Sequence, residues 1–241
     1  MNRGIYATAT GMMAAQTQLD VITNNLANAS TTGFKRDGVA FAEGLEREMR
    51  ANGGLGAVLG SLGSGAVQSG QFTDFEQGVL NPTGNPLDVA IQGAKGLFAV
   101  QTPQGVRYTR DGSFSLNQDR ELVTHQGYPV LDDSLRPITL PSGKPLIQDD
   151  GTVQVDNQDS GKIGIFDGSF TKTGDNLYES LDAKALDEPQ LKAGHLEGSN
   201  VNAVESMVQM ITLNRAFELA QRSIQQQDDL TQRLIQSLRD Q

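Results

Sequence analysis

The amino-acid sequence predicts an α+β protein: long N- and C-terminal helices forming a coiled-coil stem, with a central all-β domain. Three observations lead there. Apolar residues near the N-terminus recur at heptad spacing. A C-terminal stretch of about 38 residues holds neither Pro nor Gly. Between the two, short apolar runs alternate with turn residues at the spacing of an all-β domain.

The 241 residues suffice to bury a core without staples, yet the material for one is lean: 37% hydrophobic, 5% aromatic, no Trp and 27 Gly. Such a chain is expected to contain segments that fold poorly alone and order against partners. The charge balance, 19 Lys+Arg against 29 Asp+Glu for a net −10, argues against the basic footprint of a nucleic-acid binder. The absence of Cys excludes disulfides, thiolate metal sites and Cys nucleophiles.

In the first helix Ile5, Met12, Leu19 and Leu26 repeat every seven residues, with Thr8, Ala15 and Ile22 between them. The only charge between Arg3 and Lys35 is Asp20. A lone solvated helix carries ion pairs on its outer face; this one is suited to close contact with other chains on several sides. Thr8, Thr10, Gln16, Thr17 and Gln18 make the stretch too polar for the apolar region of a signal peptide, so it is read as part of the mature protein. The pattern stops at Asn28-Ala29-Ser30-Thr31-Thr32-Gly33, a run of turn formers.

From Asn52 to Gly70 the glycine density predicts a flexible connector. Strands are then expected at Leu97–Gln101 and Val106–Thr109, joined by Pro103-Gln104-Gly105 as a hairpin. Others are expected at Phe114–Leu116, Leu122–Val123, Tyr128–Leu131, Thr152–Val155 and Ile163–Phe166. In the last helix, read from about Val201 to Leu238, Val201, Val204, Val208 and Ile211, then Leu213, Phe217, Ala220 and Ile224, then Leu230, Leu234 and Leu238 do not share one heptad register. That implies a stutter or more than one buried face. Continuous, the helix is roughly 57 Å long, and Ser199 or Asn200 is placed to cap its start. The expected domains are 1–34, a helix with its closing turn; 35–80, an extended linker; 81–190, a β-rich domain; and 191–241, a long helix pairing with 1–34.

Candidate chemistry is thin. Asp132-Asp133 and Asp149-Asp150 sit beside turn residues, and neighbours on a strand point to opposite faces, so neither pair converges as an acid/base couple requires. His125 and His195 lack a second His at ligand spacing. No G-x-S-x-G elbow accompanies His195, and the Gly-rich stretch lacks a phosphate-binding pattern. Lys35-Arg36, the sole basic doublet, reads as a solvated corner. The expectation is a protein that is not an enzyme and uses no cofactor or metal. A polymerisation interface is expected instead, through Ile5, Met12, Leu19, Ile22 and Leu26 on one helix and Val204, Val208, Ile211, Phe217, Ile224 and Leu234 on the other. Contacts of this kind that repeat head-to-tail without closing build an open helical filament.

Five stretches together resemble bacterial flagellar basal-body rod proteins and, by extension, hook proteins. They are Val21–Lys35 (with Asn24, Asn25, Leu26, Asn28, Gly33 and Phe34 as its signature), Asn85–Gly93, Tyr108–Phe114, Leu196–Asn202 and Asn214–Glu218. They span the chain in the family's order, and both the proximal-rod and the distal-rod types are similar. The resemblance implies a structural subunit of the drive shaft that carries torque from motor to hook. It also implies export by the flagellar type III apparatus without a cleaved signal peptide and assembly with copies of itself and other rod or hook subunits. Its place would be in the basal body, with no nucleic acid and no stable membrane insertion. A hook-type subunit is the nearest alternative; an adhesin-like or carbohydrate-active module is the alternative from another class.

Overall fold

The computed structural model describes residues 3–43, 47–50, 58–62, 66–186 and 189–239, with side chains at 8–41, 69–186, 189–230, 232, 233 and 236. The chain divides into two compact units: Met1–Leu26, Asp37–Phe72 and Asn202–Gln241 form one, Ala27–Arg36 and Thr73–Val201 the other. Besides the 81–190 read from the strand pattern, the second takes in 27–36, 73–80 and 191–201.

In the first unit, α1 (Arg3–Ala27) has no acidic first turn and no basic last turn, so its ends gain nothing from the helix dipole. It stops where turn formers begin. α2 (Ala203–Arg239) runs 37 residues without a break. Its cap is Asn202, whose Oδ1 accepts the Glu205 amide at 3.2 Å. Ser199 and Asn200, the positions favoured by sequence, are occupied elsewhere: the Ser199 hydroxyl accepts the Val201 amide and the Asn200 side chain bonds Asp74 and Arg36. Among the described residues no helix is long and apolar enough to cross a membrane.

The expected connector is not free chain where it is described. Asp37–Glu43 pairs with Ala66–Thr73, and Arg47–Arg50 pairs antiparallel with Val58–Leu62. Glycine composition hid these ribbons because glycines add nothing to a period-two pattern.

The second unit is built around a six-stranded antiparallel sheet. In spatial order its strands are Thr171–Gly174, Leu177–Glu179, Gly105–Thr109, Leu97–Thr102, Ile165–Asp167 and Lys184–Ala185. The central hairpin turns through Pro103-Gln104, with Thr102 opposite Gly105. Alternation along Leu97–Val100 divides the core between two faces. Phe98 and Val100 join a cluster with Ile91, Leu122, Val153 and Ile165. Leu97 and Ala99 join Tyr108, Phe166 and Tyr178. Each large side chain buried here contributes about 1.5–3 kcal/mol. A smaller sheet of Pro145–Ile147, Thr152–Val155 and Gln158–Lys162 closes one end of the first cluster.

The unit is completed from its C-terminal end. Leu191–Ala193 pairs with Val89–Ile91, and His195–Glu197 pairs with Leu80–Pro82. Residues some hundred positions apart are thereby brought edge to edge.

Candidate assembly faces and the buried ionic clasp

On α1, Met12, Leu19 and Leu26 are half-buried and Ile22 is buried. On α2 the less exposed positions include Ala203, Ser206, Met210, Leu213, Phe217, Ala220, Ile224 and Gln227. Their spacing alternates by three and four, the repeat of a packed helical seam. Val204, Val208 and Ile211 lie off that stripe, and they are 72%, 58% and 54% exposed. The interface residues expected on α2 whose side chains are described therefore divide between two faces: Phe217 and Ile224 on a half-buried stripe, Val204, Val208 and Ile211 on an open one that Met207 extends. The mixed register seen in the sequence reflects these two faces. Ile5 and Leu234 lie on the helices, but their side chains fall outside those described.

Asn25 is buried, and its amide exchanges two hydrogen bonds with the Asp37 backbone: Nδ2 donates to the carbonyl at 2.8 Å and Oδ1 accepts the N–H at 2.9 Å. It supplies the pairing a strand would supply. Asn24 is exposed, and Asn28 accepts the Thr31 hydroxyl at 3.1 Å in the turn.

Within the second unit, three quoted motifs converge on one carboxylate. Lys35 Nζ lies 2.7 Å from Glu197 Oε1, and Arg110 Nε donates to Oε2 at 2.5 Å. The Gly78 amide donates to Oε1 at 2.8 Å. The side chains of Lys35, Arg110 and Glu197 are at most 1% exposed. Lys35 is thus no solvated corner. Of that doublet only Arg36 faces water, paired with Asp74 at 2.8 Å.

The remaining donors meet backbone carbonyls, as buried donors must. Lys35 reaches Glu76 O at 2.7 Å and Phe75 O at 3.4 Å. Arg110 donates to the carbonyls of Ile91, Gly93, Lys95 and Gly96. Burial pushes the Lys35 ammonium below the usual lysine value, opposed by the hydrogen bond and charge of Glu197.

Gly33 fits this arrangement in two ways. Its φ of +63° is a left-handed conformation, and an added Cβ would lie 2.5 Å from the Arg110 carbonyl carbon. Its N–H donates to the Glu197 carbonyl at 2.8 Å. Phe34 is buried, with Lys172 Nζ 3.9 Å from its ring centroid.

Beside the clasp, the Glu76 amide donates to Asp74 and holds its carboxyl below the usual aspartate value, helped by Arg36 and opposed by burial. A depressed folded value gives stability that is present above pH 3.8 and lost as pH falls through the folded value. Asp74→Asn should therefore lower the urea midpoint at neutral pH and show a shallower decline than the parent below pH 3.8, measured in parallel titrations.

The paired carboxylates are turn groups. Asp132 binds Arg136 and the Ser134 amide, Asp149 accepts the Ala193 amide, and Asp150 accepts Thr152. His195 Nδ1 lies 2.8 Å from the Ala193 carbonyl. Among the described residues no group of three His, Cys, Asp or Glu could hold a metal ion.

Residues 5–35 match the family described as flagella basal body rod protein. Residues 90–157 match the flagellar hook protein FlgE/F/G D1 domain, and 192–237 match the flagellar basal body rod FlgEFG protein C-terminal. The flagellar basal-body rod protein FlgG of Bacillus subtilis is 35% identical over 98% of this chain and 98% of its own length. The chain belongs to the flagellar basal-body rod family.

A FlgG from Buchnera aphidicola of Schizaphis graminum is 35% identical over 96% of this chain and 98% of its own. A FlgF from Caulobacter vibrioides is 32% identical over 99% and 98%. The chain is a structural rod subunit of the FlgF or FlgG type, with its place in the flagellar basal body among other rod or hook subunits. The clasp unites the three rod-family segments: Lys35 closes the first match, Arg110 lies in the second and Glu197 in the third.

Proposed function

We propose that this rod subunit polymerises with copies of itself and with other rod or hook subunits into a helical shaft that passes torque from motor to hook. The observation that carries this reading is the open apolar face of α2 at Val204, Met207, Val208 and Ile211, distinct from the half-buried stripe at Phe217 and Ile224. A helix with two apolar faces needs more than one helical neighbour. Gly11 adds to it: a mid-helix glycine costs about 1 kcal/mol relative to Ala, and nothing within 4 Å fills the space beside it. α1 and α2 would pair as a coiled-coil stem. The subunit would travel unfolded through the flagellar type III apparatus without a cleaved signal peptide. Its role is mechanical and not enzymatic.

Deleting residues 1–30 should abolish assembly measured by sedimentation; unchanged polymerisation contradicts the proposal. Leu26→Asp and Ile224→Asp should each stop motility, because an unpaired charge in a packed seam is costly. Circular dichroism should show the strand signal retained in both variants, and normal swimming counts against the assignment.

A further inference from the structure

The clasp holds two cations and one anion, all shielded from water, and they come from far apart in the chain. Lys35 lies 162 residues and Arg110 87 residues before Glu197. Apart from Glu197, the hydrogen-bond acceptors of both cations are backbone carbonyls. The nearby Asp74 carboxylate is engaged by Arg36 and the Glu76 amide. Isolated buried charge is strongly unfavourable, and removing one partner of a buried pair costs far more than the pair itself contributes. We infer that Glu197 is the closing group of a completion lock, so that the β-rich unit cannot shut around Lys35 and Arg110 until the strand His195–Glu197 has docked.

The geometry explains why a neutral side chain would not serve. The two Glu197 oxygens take Lys35, Arg110 and the Gly78 amide at once, so the carboxylate is both counter-ion and template. The same strand brings the Glu197 carbonyl to the Gly33 amide, fastening the segment that follows α1. Everything N-terminal to Glu197, including the whole six-stranded sheet, precedes the closing charge in the chain. A polypeptide delivered N-terminus first therefore keeps this unit open until its last segment arrives. The inference stands independently of polymerisation.

Native-state hydrogen exchange on the full chain tests it. The reporter is the hairpin of Leu97–Thr102 and Gly105–Thr109, none of whose side chains bonds Glu197. In Glu197→Gln its amides should lose protection together with those of His195–Glu197, by about a hundredfold or more. Lys35→Met added to Glu197→Gln removes one unpaired cation and should restore protection by about tenfold. Should Glu197→Gln fail to fold, recovery of a protected hairpin in the double variant gives the same support. Loss confined to residues near the strand His195–Glu197, or a double variant no better protected than the single, overturns the lock.

Discussion

Arg110→Met should lower the stability of the full chain by about 3–5 kcal/mol, the cost of breaking a buried ionic pair from one side. The methionine fills much of the space but gives nothing to Glu197 or to the carbonyls of Ile91, Gly93, Lys95 and Gly96. The carbonyls of Ile91 and Gly96 are buried with this guanidinium as a donor and would be left without it. Arg110→Lys should recover only a small part, because a single ammonium cannot reproduce the planar fork. Urea unfolding followed by tyrosine fluorescence provides the measurement, since Tyr108 and Tyr178 lie in the core of the same unit. A midpoint within error of the parent would mean that the buried guanidinium is not holding these loops.

Gly33→Ala should be nearly as damaging, at about 3 kcal/mol. Two costs add there: a left-handed backbone imposed on a residue with a Cβ, and contact at 2.5–2.7 Å with the Arg110 and Asp111 backbone. The neighbour that would have to yield is main chain already fixed by Arg110. Gly194→Ala makes the control, because its φ of +65° matches that of Gly33 but nothing lies within 4 Å of its added Cβ. Differential scanning calorimetry should show a clearly larger drop in Tm for Gly33→Ala than for Gly194→Ala; equal drops would locate the penalty in conformation alone.

Much of the architecture was legible because it repeats. Ile5, Met12, Leu19 and Leu26 announce a helix that runs from Arg3 to Ala27, and the unbroken C-terminal stretch announces one from Ala203 to Arg239. Phe114–Leu116 and Thr152–Val155 form strands with the limits their apolar pattern suggests. The ribbons between Asp37 and Thr73 were hidden by glycine, which has no side chain with which to show a face. The clasp was hidden for another reason. Lys35, Arg110 and Glu197 are ordinary surface residues by type, and a single sequence does not reveal pairing across 162 positions. The available signal was local: each stands within two residues of a glycine in a short motif, Gly33 before Lys35, Gly112 after Arg110 and Gly198 after Glu197. The two faces of α2 were half-visible as a change of register, but only exposure distinguishes the stripe at Phe217 and Ile224 from the one at Val204 and Val208.

The chain leaves the β-rich unit after Arg36, returns to it at Thr73 and leaves it again after Val201, and the segments Thr32–Arg36 and Glu197–Val201 are both stitched to the stretch Asp74–Gly78. Tension entering along one segment can therefore leave along the other within a few bonds, without crossing the six-stranded sheet. Loops remote from that seam, such as the turn closed by Asp132 and Arg136, stand outside the mechanical circuit. Insertions there should leave the hydrogen bonds of that seam untouched.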